Sequence, residues 1–316
     1  MKLLITGAAG QLGSAFVSEL TKHRHQHKDK KSQISFTACN RSELDITNRE
    51  QAERVISRQQ PDFVINTAAY TQVDLAEVEQ EKAYAINQAG PANLAQICER
   101  LSIPLIHFST DCVFDGRKKT AWVEQDATEP VSVYGASKLA GEQAVQQLCD
   151  KHLILRVSWV FSEFGRNFVR TMLQLGATHQ QLRVVDDQFG KPTCAHEIVR
   201  VVLQILKTTP GRWGIYHLAQ PEPISWHGFA EAIFAQARAS DQSGSPLVVK
   251  NVLAVPTSGY PTAAKRPANS VLNTTKLEQT FGVELTGWRQ SLAATLSALG
   301  SEVEQKQGQE LGQNNE

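Results

Sequence analysis

The chain has no surplus of charge of either sign. Its 32 Lys and Arg balance 32 Asp and Glu, for a formal net charge of zero. A nucleic-acid or membrane-surface protein usually carries a basic excess, so neither partner is expected. Cysteine is scarce too. The five residues Cys39, Cys98, Cys112, Cys149 and Cys194 are odd in number and never spaced Cys-x-x-Cys. That argues against a disulfide framework or a zinc site and for reduced thiols in the cytoplasm. No apolar run approaches the roughly 20 residues that span a bilayer. The start, Met1–Gly7, has no apolar h-region or cleavage site, so it reads as a first strand and not as a signal peptide. No G-x-x-x-x-G-K-[ST] occurs, which leaves a nucleoside-triphosphatase without support. There is no internal repeat.

What is present is an alternation. Lys2–Thr6, Ile34–Cys39, Phe63–Thr67, Leu105–Thr110 and Leu153–Val157 have strand character. Amphipathic helical segments lie between them, near 11–22, 47–59, 77–101 and 134–149. The second opens with Thr47 and has Glu50 three residues later, the spacing of a capping box. Strands alternating with helices predict an α/β protein: a Rossmann-type, doubly wound parallel sheet covered on both faces. Beyond residue 160 the pattern loosens into helices near 167–175, 196–207, 226–238 and 288–299. Short strands are expected around Arg183–Asp186, Ile215–Leu218 and Val248–Leu253. The chain therefore divides into a nucleotide-binding domain over 1–160, a substrate-binding lobe over 161–300, and a polar tail over 301–316. Later segments are expected to add to the first domain's sheet. The tail is nearly all Gln, Glu, Asn and Gly, and is expected to be disordered. A histidine-rich run over 23–31 could in principle hold a metal, but no matching ligand set exists elsewhere, and a solvated loop is the simpler reading.

Gly7-Ala8-Ala9-Gly10-Gln11-Leu12-Gly13 follows the first strand and opens the first helix. Its G-x-x-G-x-x-G spacing is a variant of the dinucleotide fingerprint. One glycine makes the tight turn, one admits a pyrophosphate to the backbone, and one lets helix and strand pack closely. The end of the second strand usually carries an acid for the adenosine ribose. Here Asn40 and Arg41 stand instead, and an arginine suits a 2′-phosphate, so NADPH is expected, with NADH also usable. Asp45 and Ile46 could cap the adenine ring. Further on, Tyr134 and Lys138 share a helix face one turn apart. A phenol beside a fixed ammonium has its ionised form favoured, and can deliver a proton to an oxygen as a hydride reaches the adjoining carbon. Tyr-x-x-x-Lys is also common on exposed helices; its weight comes from the glycine turn ahead of it.

Taken together with Asn66–Thr71, Val73-Asp74, Ser109–Phe114, Arg156–Val160, Asp187–Thr193 and Arg266–Ser270, these motifs resemble the extended short-chain dehydrogenase/reductases. Among those, the likeness is to the dTDP-4-dehydrorhamnose reductases, and it spans nearly residues 1–300. The resemblance implies reduction of a nucleotide-sugar C4 ketone, with Tyr134 as proton donor and Lys138 lowering its pKa and bonding the nicotinamide ribose. Thr110 would bond the same carbonyl oxygen. Ala68, Ala69, Tyr70 and Thr71 would line the pyrophosphate and ribose. Asp111 would accept from sugar hydroxyls, Trp159 would face the deoxysugar, and Arg266 with Asn269 would hold the diphosphate.

Each has a plainer alternative: strand propensity for Thr110, core packing for Trp159, a surface ion pair for Arg266. Cys112 stands where the family commonly has an aromatic residue, which loosens what carries over to the sugar pocket. The resemblance allows a homodimer and supplies no metal ligand set. A nucleotide-sugar 4-epimerase and a non-catalytic regulatory subunit on the same fold remain as rivals.

Overall fold

A computed structural model of the chain describes residues 1–26, 34–208, 211–240 and 246–313, and side chains over these ranges except at 25, 26, 240 and 302–313. Most of the histidine-rich run lies outside the described residues.

Six strands make one fully parallel sheet: β1 (Lys2–Thr6), β2 (Ser35–Cys39), β3 (Phe63–Asn66), β4 (Leu105–Thr110), β5 (His152–Val157) and, after β6 (Gln181–Val185) has formed elsewhere, β7 (Gly214–Leu218). Their spatial order is β7-β5-β4-β3-β1-β2. The side-chain period of two decides the layering. Leu3 and Ile5 of β1 face one core together with Phe16 and Leu20 of helix α1 (Gln11–Gln26). Leu4, between them, faces the other with Ala52 and Ile56 of α2 (Arg49–Gln59) and Leu94 of α3 (Gly90–Arg100). Strands buried on both faces are largely apolar, as expected of parallel sheets, with polar residues such as Thr6, Asn66 and His107 buried within them. Helix α4 (Val133–Leu148) covers the second face through Val145. The chain order reverses between β1 and β3, which places the ligand crevice beyond the carboxyl ends of those strands.

Past β5, α5 (Phe168–Gly176), α7 (Trp226–Ser240) and α9 (Trp288–Gln313) enclose a separate apolar cluster around Phe229, Phe234, Trp288 and Leu292. A small parallel pair, β6 with β8 (Asn251–Val255), lies beside it. Helix α6 (Ala195–Ile205), by contrast, returns to the main sheet and packs on α1, as does α8 (Thr275–Phe281) beside β7. Segments beyond residue 160 thus complete the first layer.

Four expectations change. Asn48, not Thr47, caps α2, its carboxamide oxygen accepting from Gln51 N at 3.0 Å; Thr47 is held instead by Asp45 Oδ1. The segment 77–101 is not one helix: short turns at Val73–Ala76 and Gln80–Tyr84 lead through a π-helical turn, Ala85–Ala89, into α3. Such wide turns cost backbone hydrogen-bond geometry and often mark functional sites. The last small strand is Asn251–Val255 and not Val248–Leu253. Helix α9 continues to Gln313, into the stretch expected to be disordered, where Glu, Gln and Lys are good helix formers.

Candidate active site

The crevice is built from strand ends. At β1, Gly7 has φ +68°, and a Cβ there would meet the backbone of Ala68 at 2.6 Å. A Cβ on Gly13 would lie 2.3 Å from Gly7 O, so this glycine allows α1 to sit on the turn. Gly10 is exposed, and only Gly7 O comes near its added Cβ, at 3.3 Å. The turn is thus tight within and open outward at the amino end of α1, a cradle that fits a dinucleotide pyrophosphate. Gln11 fastens it across the crevice: its Nε2 donates to Val160 O at 3.1 Å and its Oε1 accepts from Ser162. Leu12 turns inward against the core.

Behind the turn a polar chain crosses the sheet. Thr6 Oγ1 donates to Asn66 Oδ1 at 2.7 Å, and Asn66 Nδ2 meets His107 Nδ1 at 3.0 Å. Burial holds His107 well below its usual range, so the ring is neutral there. Asn66 Oδ1 also accepts from Ala68 N, shaping the Ala68–Thr71 segment. Ala68 and Ala69 remain partly exposed and Thr71 exposed, but Tyr70 is buried, its hydroxyl donating to Glu79 at 2.8 Å.

The adenosine end differs from expectation. Arg41 is exposed and its Nε donates to Asp45 Oδ2 at 3.0 Å, while Asp45 Oδ1 accepts from Thr47. Asn40 accepts from Ser42 in a local turn. Ile46 is buried against Gly90, where an added Cβ would lie 2.5 Å from it. Asp45 is therefore engaged in shaping the loop, and Ile46 is core.

Thr110 and Tyr134 meet at the end of β4, and Lys138 follows one helical turn further along α4. Ser132 caps α4 by accepting from Gly135 N, and a Cβ on Gly135 would lie 2.2 Å from Cys112 O, so the helix start is pressed against the end of β4. A hydrogen bond between Thr110 and the Tyr134 phenol works to lower that phenol's pKa, but burial outweighs it and pushes the pKa up, with Cys112 and Asp111 adding to the rise. The expectation of a phenol acidified by Lys138 is not met. Lys138 Nζ instead donates to Phe108 O at 2.6 Å, deep against β4, and burial brings its own pKa down to about 8.

Asp111 is 4% exposed, and its two oxygens accept from Thr110 at 2.9 Å and from Ser158 at 2.9 Å. Burial raises its pKa. Its carboxylate holds the crevice wall together instead of standing free for a sugar. Trp159, at φ +45°, stacks on Trp226 with centroids 3.4 Å apart, so one ring face is covered. Arg266 is paired with Asp74 through two contacts, at 3.0 and 2.6 Å, as the ion-pair alternative held. Asn269 donates to the carbonyls of Lys118 and Thr120 and accepts from Val271 N, which commits it to loop structure. Burial raises the Cys112 thiol, which is no nucleophile in that state.

The roles of three residues escaped the sequence reading. Asn87, in the π-helical turn, accepts from Tyr70 N, donates to Tyr70 O and donates to Ser137 on α4, tying the Ala68–Thr71 segment to α4. Glu142 and Arg156 form a buried ion pair behind Lys138. Only the i, i+4 spacing of Lys138 and Glu142 signalled any of this. Among the described residues no cluster of three or more His, Cys, Asp or Glu is arranged to hold a metal, and no helix is long and apolar enough to cross a membrane.

The family model described as RmlD substrate binding domain matches residues 1–301. A dTDP-4-dehydrorhamnose reductase of Aggregatibacter actinomycetemcomitans is 42% identical over 298 residues, covering 92% of this chain and 97% of that protein. The crystal structure of a dTDP-4-dehydrorhamnose reductase from Clostridium acetobutylicum ATCC 824 superposes with a TM-score of 0.85 at 37% identity, covering 95% of this chain and 99% of its own. One from Bacillus anthracis str. Ames, solved in complex with NADP, gives 0.82 at 33% identity, with 93% and 98% covered.

Proposed function

The chain belongs to the RmlD substrate binding domain family, and from that premise we propose that it reduces the C4 ketone of dTDP-4-dehydro-L-rhamnose to dTDP-L-rhamnose. This is the last step of dTDP-L-rhamnose synthesis, a precursor of cell-surface polysaccharide, with NADPH as reductant and the cytoplasm as its place. The observation that carries the reading is the meeting of Thr110 and Tyr134 at the end of β4, with Lys138 one helical turn further along α4, beside an open glycine cradle.

The bound dinucleotide supplies the hydride. Gly7, Gly10 and Gly13 with the first amides of α1 bind its phosphates, Gln11 and Leu12 continue that wall, and Ala68–Thr71 line the ribose side. Arg41 takes the 2′-phosphate by exchanging Asp45 for a more highly charged partner, which its exposed position permits. Tyr134 keeps its proton across the working pH range and gives it to the developing alkoxide at C4. Thr110 turns its one hydroxyl hydrogen from Asp111 to the same oxygen as charge builds. Lys138, a protonated ammonium below pH about 8, orients the ribose and places positive charge behind the phenol when the proton leaves. Before substrate binds, Asp111 accepts from Thr110 and Ser158 and keeps the Thr110 side chain in the wall.

The sugar lies between this edge and the 161–300 lobe, along the free edge of Trp159, with Arg266 near the diphosphate. The division of the chain near 160 is on this reading one of binding task, since α6 and β7 complete the dinucleotide-binding layer. Incubation with dTDP-4-dehydro-L-rhamnose and NADPH tests the whole. One equivalent of cofactor oxidised per dTDP-L-rhamnose, identified by NMR, is expected. A 4-keto sugar left unreduced with NADPH unconsumed, beside C4 inversion of a dTDP-hexose with no net cofactor oxidation, would mean an epimerase and refute the reading.

A further inference from the structure

Tyr134, Lys138 and Glu142 follow one another at four-residue spacing along one face of α4. The first reaches the crevice, the second lies against β4, and the third is buried to 1% exposure beneath both. Glu142 is not a lone acid. Arg156 on β5 grips it with Nε to Oε1 at 2.9 Å and Nη2 to Oε2 at 2.7 Å. The guanidinium lies over the Phe114 ring at 5.1 Å, and its Nη1 is 3.5 Å from Nε2 of His217 on β7. Burial brings His217 down to about 3, so that ring is neutral and accepts.

A buried ion pair gains little for stability over apolar residues of the same size, because desolvation offsets the attraction. Its presence one turn behind a buried ammonium therefore calls for another role. We propose that Glu142, fixed by Arg156, is a positioning residue that serves as the built-in counter-charge of Lys138. This rests on the reading of Lys138 given above.

The geometry makes Glu142 the acid suited to that task. The other titratable groups facing Lys138 are neutral or of the wrong sign: His107 on β4, beside which His152 of β5 lies, and Tyr134 and Cys112 at the crevice end. Asp111 is engaged by Thr110 and Ser158 at the far side of the phenol. The remaining segments packed on α4 carry Asp74 and Glu77, partly exposed, and Glu81, Lys82, Glu99 and Arg100, exposed, where water screens them. Burial alone drives Lys138 toward its neutral form, and Glu142 is the charge that opposes it. Arg156 grips both carboxylate oxygens and holds the side chain in one rotamer, so the opposing field does not wander. The cation itself is held off Lys138 by the interposed acid.

The test is the titration of Lys138 in the ligand-free protein, followed by NMR with 13C-labelled lysine side chains and assigned through Lys138→Met. In Glu142→Gln the midpoint is expected to fall by about one pH unit or more, a modest estimate for a unit charge one helical turn away at low effective dielectric. Glu142→Asp should restore most of it. The alkaline limb of kcat/KM should move the same way in the same variants. A folded Glu142→Gln whose Lys138 midpoint stays with the wild type overturns the proposal, whatever its turnover. If Glu142→Gln does not fold because Arg156 is left bare, the double variant Glu142→Gln/Arg156→Gln is read by the same criterion. Refusal of both to fold assigns the pair to folding and also overturns it. Wild-type protein that titrates as expected yet turns over no nucleotide-sugar would instead count against the proposed function alone.

Discussion

Asp74 and Arg266, 192 positions apart in the chain, meet in a two-pronged ion pair, and Asp74 Oδ1 accepts from Ala264 N as well. The Asp74 carboxyl, in the helical turn Val73–Ala76 after β3, thereby anchors the segment that carries Ala264 and Arg266. The arginine beside it holds the Asp74 carboxyl below the usual carboxylate range.

Because that loop carries the residue proposed for the diphosphate, Asp74→Asn should raise KM for the nucleotide-sugar. The pair is partly exposed, so its worth is about 1 kcal/mol, or roughly fivefold in KM. The KM for NADPH should stay within about twofold, since the glycine turn is untouched. Steady-state kinetics on both substrates decides; equal changes in the two would remove the loop from substrate binding.

Tyr134→Phe removes the proton donor while keeping the ring that packs at the start of α4. Turnover should fall by about 10²- to 10⁴-fold, the usual worth of a positioned acid. NADPH binding, followed by fluorescence, should be nearly unchanged. Wild-type turnover in this variant would show that another group delivers the proton.

A Cβ at Gly13 has only backbone to displace. Gly13→Ala should therefore lift α1 from the turn and cost at least tenfold in NADPH affinity, a change of about 1.4 kcal/mol. Calorimetric titration gives the number directly. Undiminished affinity would mean that the cradle does not receive the phosphates.

Among the described residues Arg41 pairs only with Asp45, and it is exposed. Arg41→Ala should narrow the ratio of kcat/KM for NADPH over NADH, mainly through KM for NADPH. A ratio unaltered by the change, or one already favouring NADH in the wild type, would dismiss the 2′-phosphate assignment.

His196 lies between Glu19 at 2.9 Å and Glu163 at 2.8 Å, clamping α6 to α1 and to the segment after Phe161. The two acids outweigh burial and raise it from 6.5 to about 9, while Glu19 is lowered to about 2. A raised histidine contributes fully below its unfolded pKa and loses that contribution as pH climbs toward 9; the depressed acid contributes above its unfolded value. The clamp is thus strongest from about pH 4.5 to 6.5. Its worth there is on the order of 1–2 kcal/mol once solvent access is discounted. Thermal unfolding of wild type and His196→Gln should differ most in that window and converge near pH 9.5. A gap independent of pH would refute the charged clamp.

The residue order alone determined the doubly wound sheet, the glycine turn and the Tyr134–Lys138 spacing, because period-two burial, left-handed turns and helix faces are local properties of a chain. It also marked Thr110 at a strand end. What only the tertiary structure decided is which polar groups are already taken. Arg266 is engaged by Asp74, Asn269 by backbone carbonyls, Asp45 by Thr47, and Asp111 by Thr110 and Ser158. It also decided that Tyr134 is held protonated by burial and that Glu142 meets Arg156 under Lys138. Hydrogen bonds and desolvation act between residues brought close by folding, across separations of up to 192 positions here, and sequence spacing carries no measure of that distance.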